Sequence, residues 1–431
     1  MEAKVLEHKQ GLGRRSAVQL LTVAGALGIV SACGGGSGDN GGDNELTIWM
    51  LTLEPTQKAA MDAVIQGFQD ANAGTTVKVQ ERATDAHKDA LRQVAGTNSG
   101  PDVFWYWEGP GLAGELIDAG MSLDLKEYYD QYGWADRFST AAMDNITQYG
   151  QYDGVPWTLQ AEAIFYNKTL FEQAGITAPP ATYEELKAAA NKLVTAGITP
   201  IEFGGTVNWH VMRLLDSLLE TECGADLADS LNKGDGDWGA EPGVTAAFTE
   251  LKTWGDKYFN EGFLGLSNDD SSQLFYTGQA AMALEGTWFD ANVAENGMDP
   301  ATVGIFPFPT GTGRMYGFGE GFYINSGSEK ADLAAKFLDY ATSEQVQKDS
   351  VVGAWSPLSV NTVVGPATDN PLHELWLPIY ESAEGLYLNN DQNLSLGETT
   401  EYWRIQNSVL TGDIDPADAG TEFQKYRDAN K

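Results

Sequence analysis

The residue types in this sequence that could do chemistry are tryptophans set close to groups that bond hydroxyls. Trp107 precedes Glu108, Asn208 precedes Trp209, and Trp288 follows the strand-like run that ends at Gly286. Aromatic faces cover patches of C–H bonds, and carboxylates and carboxamides bond hydroxyls. Such pairs suit recognition of a polyhydroxylated solute and need no catalytic group. Covalent chemistry has less support. With 61 acidic residues, coincident carboxylate pairs are abundant, so a glycosidase-type couple carries little information. The chain has no G-x-S-x-G elbow, H-E-x-x-H helix or phosphate-binding Walker loop. The four histidines are scattered, and Asp235-Gly236-Asp237 starts like a calcium loop but fails at the next ligand positions. Neither a cofactor nor a metal is expected.

The elements that must hold these residues alternate between two periods. Leu46 to Leu51, Thr76 to Val79, Asp102 to Trp107, Ala163 to Tyr166, Gln279 to Leu284, Val303 to Phe306 and Gly321 to Asn325 read as strands. Gln57 to Asn72 reads as a helix with Ala60, Met61, Val64, Ile65 and Phe68 on one face. Thr182 with Glu185 forms a capping box that opens a second helix, which stops at Gly197, and Lys330 to Thr342 is a third. This alternation predicts an α/β layered fold. The 431 residues exceed one ordinary core and suit two lobes. Gly317-x-Gly319-x-Gly321 reads as a glycine-rich turn, or as a close approach of backbone to ligand with Glu320 bonding hydroxyls.

The N-terminus has the layout of an export signal. Lys4, Lys9, Arg14 and Arg15 precede an uncharged, mainly apolar run from Ala17 to Val30 that has the length of a signal-peptide core. Val30-Ser31-Ala32-Cys33 then resembles the lipobox of bacterial lipoproteins, with residues 1–32 as the signal peptide and Cys33 as the lipidated residue. Arg14-Arg15 matches a twin-arginine signal only loosely. Gly34 to Asn44 is almost wholly Gly, Ser, Asp and Asn, a flexible tether (33–44 with its Cys) reaching roughly 18 Å. Cys223 is then the sole cysteine of the body, so an internal disulfide and a cysteine zinc site are excluded. Removing the two acids and four bases of the signal leaves 59 acids against 22 bases. That balance argues against nucleic acid and against an anionic lipid surface as partners.

Several segments, in order, resemble the extracellular solute-binding proteins of sugar ABC importers, the family that includes maltose-binding protein. They are Gly100-Pro101-Asp102-Val103-Phe104, Tyr152-Asp153-Gly154-Val155-Pro156, and Phe165-Tyr166-Asn167-Lys168-Thr169-Leu170-Phe171. Ala174-Gly175-Ile176 with Thr182-Tyr183-Glu184-Glu185-Leu186, Phe275 to Trp288, Val303 to Pro309 and Ala334 to Gln345 continue the match over nearly the whole mature chain. The resemblance implies a two-lobed periplasmic-binding-protein-like fold of type II. Each lobe is a doubly wound mixed sheet with helices on both faces, and ligand lies in the cleft between lobes. It places lobe 1 at 45–160 plus 317–355 and lobe 2 at 161–316 plus 356–431.

By the same resemblance Trp288 is the leading sugar-stacking residue, with Trp49, Trp107, Glu108, Asn208, Trp209, Glu320 and Trp355 as further ligand contacts. Asp85 and His87, taken to sit on a first-lobe loop, are weaker candidates, and His210 is expected to be a satisfied surface histidine. The family's acidic contact six residues before the tyrosine of Tyr-Asn-Lys falls here on Gln160, a departure that leaves Gln160 and Glu162 as alternatives. The implied protein is a non-enzymatic, monomeric substrate-binding lipoprotein. It is anchored on the outer face of the cytoplasmic membrane of a Gram-positive-type envelope and delivers a mono- or oligosaccharide to ABC permease subunits. A polyol or glycerol-phosphate-type solute is the second ligand class. A secreted carbohydrate-active enzyme or adhesin is the competing function.

Overall fold

A computed structural model describes residues 44–430 except 98 and 369. The signal, Cys33 and the tether therefore lie outside the described residues. Among the described residues no helix is long and apolar enough to cross a membrane.

The expected α/β alternation is present. Strand β1 (Glu45–Leu51) buries Leu46, Ile48 and Met50 on one face and leaves the alternate residues half-exposed. The helix Pro55–Ala71 follows, with Met61, Val64 and Phe68 inward. β2 (Thr76–Arg82) and β3 (Val103–Trp107) flank β1 in parallel. β4 (Val155–Asn167), β5 (Thr199–Ile201), β6 (Ala280–Gly286), β7 (Val303–Phe306), β8 (Met315–Ile324) and β9 (Leu386–Tyr387) complete one continuous, hydrogen-bonded array. Its order is β2-β1-β3-β8-β4-β6-β5, with β7 on β4 and β9 on β8.

Two hydrophobic centres lie at opposite ends of this array. One gathers Leu46, Ile48, Met61, Phe68, Trp105, Trp134, Trp157, Phe337 and Val360. The other gathers Leu186, Leu214, Leu218, Phe248, Trp254, Met282, Tyr402 and Phe423. Each sheet has a second cluster on its other face, around Phe104 and Tyr323 at one end and around Phe165, Phe289 and Trp376 at the other. The molecule is thus two α/β lobes with covered sheets. Strands β4 and β8 run antiparallel from one lobe into the other. The first half of β4 pairs with β8, and its second half pairs with β6 and β7.

The expected helix start at Thr182 is present, with a change in bonding. Thr182 Oγ1 accepts the Glu185 amide at 3.3 Å, but the Glu185 carboxylate accepts from Ala181 N at 2.9 Å, one residue short of the reciprocal capping-box bond. The glycine run 317–321 is not a turn, and its glycines face protein atoms rather than open space. It lies inside β8, and a Cβ at Gly317 would stand 2.4 Å from the Gln160 carbonyl oxygen. At Gly319 a Cβ would stand 1.9 Å from Glu108 Oε2, and at Gly321 2.8 Å from Ile146 Cδ1. The missing side chains make room for protein atoms.

Cys223 is half-buried and free; burial, with Glu241 and Glu222 nearby, pushes its thiol up to about 12. It is therefore a poor nucleophile.

Candidate functional site

Where β4 and β8 pass between the lobes, the side chains surround a cavity of about 440 Å³. Trp107, Gln160, Trp209, Trp288, Glu320 and Trp355 all line it. Each arrives there for a local reason. Trp107 ends β3, and strand alternation sends Trp105 to the same side; their ring centroids are 4.7 Å apart, and both line the cavity. Tyr106 points to the opposite face, as alternation requires, and is buried with Phe104 and Tyr323. Trp288 follows β6 and folds back over Gly286, where a Cβ would stand 2.1 Å from the ring. Only glycine fits under it. The Trp288 indole N–H donates to Glu285 Oε2 at 3.0 Å, and its ring lies 5.7 Å from Phe318. Trp209 opens the helix Asn208–Cys223, whose next turn on the same face carries Arg213. Trp355 is mostly core, packed edge-on against Trp157 at 5.4 Å.

The polar floor is a connected network. Gln160 Nε2 donates to Glu320 Oε2 at 2.9 Å, Thr158 Oγ1 donates to the same oxygen, and Gln160 Oε1 accepts from Thr287 Oγ1. Burial pushes the Glu320 carboxyl up to about 7 against the pull of those two donors. Arg213 donates to Glu285 Oε2 at 2.6 Å and stands 3.2 Å from Glu162 Oε2. Its guanidinium also lies over the rings of Trp209, at 4.8 Å, and Trp288, at 5.0 Å. Burial pushes Glu285 up, but Arg213 and His210 outweigh it and hold the carboxyl below its ordinary range. Burial pushes Glu162 up to about 7 despite Arg213. On the other wall Lys88 pairs with Asp391 at 3.2 Å and lies 4.9 Å from the Trp107 ring. Lys88 and Arg213 are the cations lining the cavity, and each already has a carboxylate partner.

Set beside known proteins, residues 53–348 match the family model for the bacterial extracellular solute-binding protein. The chain belongs to that family. The maltodextrin-binding protein MdxE of Bacillus subtilis is 23% identical over 325 residues, covering 74% of each chain. The diacetylchitobiose binding protein DasA of Streptomyces coelicolor is 24% identical over 358 residues, covering 78% of this chain and 79% of its own. A solved chitin oligosaccharide binding protein superposes with a TM-score of 0.81 at 25% identity, over 89% of this chain and 98% of that one. The two-lobed architecture is the one these solute-binding proteins share.

In this solute-binding frame, five of the expected contacts stand away from the cavity lining. Trp49 is half-buried, and the Arg82 guanidinium covers its ring at 3.9 Å. Glu108 is buried behind β8 in the space left by Gly319, and burial, with Glu320 nearby, raises its carboxyl well above the ordinary range. Glu162 lies beneath Arg213 rather than on the surface of the cavity. Asn208 Oδ1 accepts from Asn407 at 2.7 Å. Asp85 is exposed in the first turn of the helix Thr84–Val94, so the expected loop is a helix. His87 lies in that helix, fully buried, with Nε2 2.8 Å from the Trp105 carbonyl; burial pushes it down to about 4, so it is neutral. Asp102 is structural, accepting from Thr47 N at 2.8 Å and Ser328 Oγ at 2.7 Å.

His210 is not at the surface: it is fully buried beside Glu202 and Glu285, a trio whose spacing could hold a metal ion. Its hydrogen bonds decide otherwise. Nδ1 accepts from the Gly204 amide at 3.0 Å, so the ring proton sits on Nε2, which faces Glu285 at 3.4 Å and Glu202 at 3.9 Å. A protonated Nε2 faces these carboxylates and offers no lone pair to a metal.

The sequence reading missed Arg213, Lys88, Phe318, Glu285, Asn389, Asp391 and Gln392 in the lining. Arg213 was within reach of sequence reasoning, four residues after Trp209 on one helical face. Asp391 carries no such signal.

Proposed function

We propose that this chain captures an uncharged mono- or oligosaccharide in the cavity between its lobes and hands it to the permease subunits of an ABC importer. The observation that carries this reading is the meeting of Trp107 from one lobe with Trp209 and Trp288 from the other around the Gln160–Glu320 network. Aromatic faces meet the C–H patches of a sugar ring, and the network meets its hydroxyls. The glycerol-phosphate-type alternative needs an uncommitted cation, and both cavity cations are already paired. The maltodextrin-binding and diacetylchitobiose-binding relatives support a carbohydrate ligand.

We assign lobe 1 to 45–160 plus 317–355 and lobe 2 to 161–316 plus 356–431, with Val360 still packed in the lobe 1 core as the chain leaves it. The protein acts as a monomer without catalysis. Lipid on Cys33 holds it at the outer face of the cytoplasmic membrane.

The test is a thermal-shift panel of maltotriose, N,N′-diacetylchitobiose, xylotriose, raffinose, galactose and glycerophosphodiesters. A ligand that binds only the folded state raises the melting temperature by mass action. At least one sugar is expected to do so. A shift with the phosphodiesters and none with the sugars overturns the carbohydrate assignment.

A further inference from the structure

One wall of the cavity is built by a segment that belongs to lobe 2 but rests on lobe 1. Asn389 to Leu394 is anchored in lobe 2: the Asn390 amide donates to Asp216 Oδ2 at 2.9 Å, and Leu394 is buried with Tyr402 in that core. From this anchorage the stretch 389–396 touches lobe 1 at four points. Asp391 pairs with Lys88 at 3.2 Å. The Gln392 carbonyl accepts the Gly111 amide at 2.8 Å, and the Leu396 amide just beyond donates to Glu115 at 2.8 Å. The fourth point is steric. A Cβ at Gly111 would stand 1.8 Å from the Leu394 carbonyl oxygen, and one at Gly109 2.7 Å from Gln392 Cβ. In Gly109-Pro110-Gly111 the absent side chains are thus filled by the other lobe.

The same segment faces the ligand space. Asn389, Asp391 and Gln392 all line the cavity. Each also holds a buried oxygen with no hydrogen-bond partner among the described residues: Asn389 Oδ1, Asp391 Oδ1 and Gln392 Oε1. Three unpartnered acceptors on one short segment are costly to bury and are relieved by a molecule that brings donors.

We propose that Asn389–Gln392 is the specificity-determining segment of the site, reading a cluster of ligand hydroxyl or N–H donors, and that it does so only when docked on Gly111 and Lys88 of lobe 1. Ligand recognition and lobe closure then share one contact. An anionic sugar such as a uronate or sugar phosphate is rejected here, because its oxygens meet acceptors and the Asp391 carboxylate. The inference rests on the carbohydrate reading above.

The experiment is calorimetric titration of maltotriose, N,N′-diacetylchitobiose, xylotriose and the corresponding uronate oligosaccharides into wild type, Gly111→Ala, Asp391→Asn and Gln392→Ala. The backbone at Gly111 is not left-handed, so alanine brings no backbone strain there, and the three atoms nearest its Cβ all belong to the docked segment. Expected are an unliganded melting temperature close to wild type and a loss of sugar affinity of roughly tenfold or more in each variant. Hydrogen exchange at the residue 111 amide is expected to slow with sugar in wild type and to stay fast in Gly111→Ala. A sugar that binds wild type and all three variants equally overturns the inference and leaves the carbohydrate reading intact. Binding of no neutral sugar to wild type overturns both. Should Gly111→Ala fail to fold, the two side-chain variants decide alone, since neither alters the backbone.

Discussion

The guanidinium of Arg213 lies over two tryptophan rings and is held from below by Glu285 and Glu162. That arrangement fixes the two rings at the spacing the side chains beneath them dictate, before any ligand arrives. Trp288→Ala is expected to weaken sugar binding about tenfold, because a stacking face of this size contributes about 1.4 kcal/mol. The variant should keep its fold, and the check is calorimetry beside circular dichroism. The carboxylates make a second expectation. Burial pushes Glu320, Glu162 and Glu202 each up to about 7. The folded state therefore binds protons that the unfolded chain has released, so stability is full below about pH 4.5 for these groups and is lost as pH rises through about 7. Glu320→Gln should flatten this decline by an amount on the order of 3 kcal/mol. Urea denaturation between pH 5 and 8 reads it, and an unchanged slope would assign the decline to Glu162 and Glu202 alone. Trp288 was legible because the stretch Phe275 to Trp288 resembles a family motif in which a short strand ends in glycine-x-tryptophan. Asp391 was not, because its place in the site depends on a contact with Lys88, some three hundred residues earlier in the chain.

Strand β8 shows where element-level reading stops short. Glycine is depleted in strands, so three of them at alternate positions read as a turn, and the strand was expected only from Gly321 onward. The ten-residue strand exists because its neighbours occupy the space the side chains would fill. Gly319→Ala tests this directly. Its Cβ would meet the Glu108 carboxylate, so overpacking is expected to cost about 1–3 kcal/mol. Glu108→Ala in the same chain should recover most of that loss, a coupling that a double-mutant cycle in urea measures. The short periodic elements fared better, since β1 and the helix Pro55–Ala71 declare their buried faces within a few residues.

At the scale of the whole molecule, residues 1–44 should be separable from capture. A chain starting at Glu45 is expected to bind the same sugar with unchanged affinity, while Cys33→Ser in the full chain should move the protein from the membrane fraction to the medium. Retention of Cys33→Ser at the membrane would remove lipid as the anchor. Two lobes could be expected from length alone, but the sharing of one hydrogen-bonded array between them could not.

That sharing has a consequence for synthesis. Strand β3 in lobe 1 is covered on one edge by β8, more than two hundred residues later, and the lobe 2 core closes with Tyr402 and Phe423. A nascent chain shorter than about 324 residues holds neither finished sheet nor finished core, and contacts of such sequence separation form slowly. Most of this polypeptide is therefore made before the lobe 1 sheet or the lobe 2 core can close. The topology itself keeps the chain open until it is nearly complete.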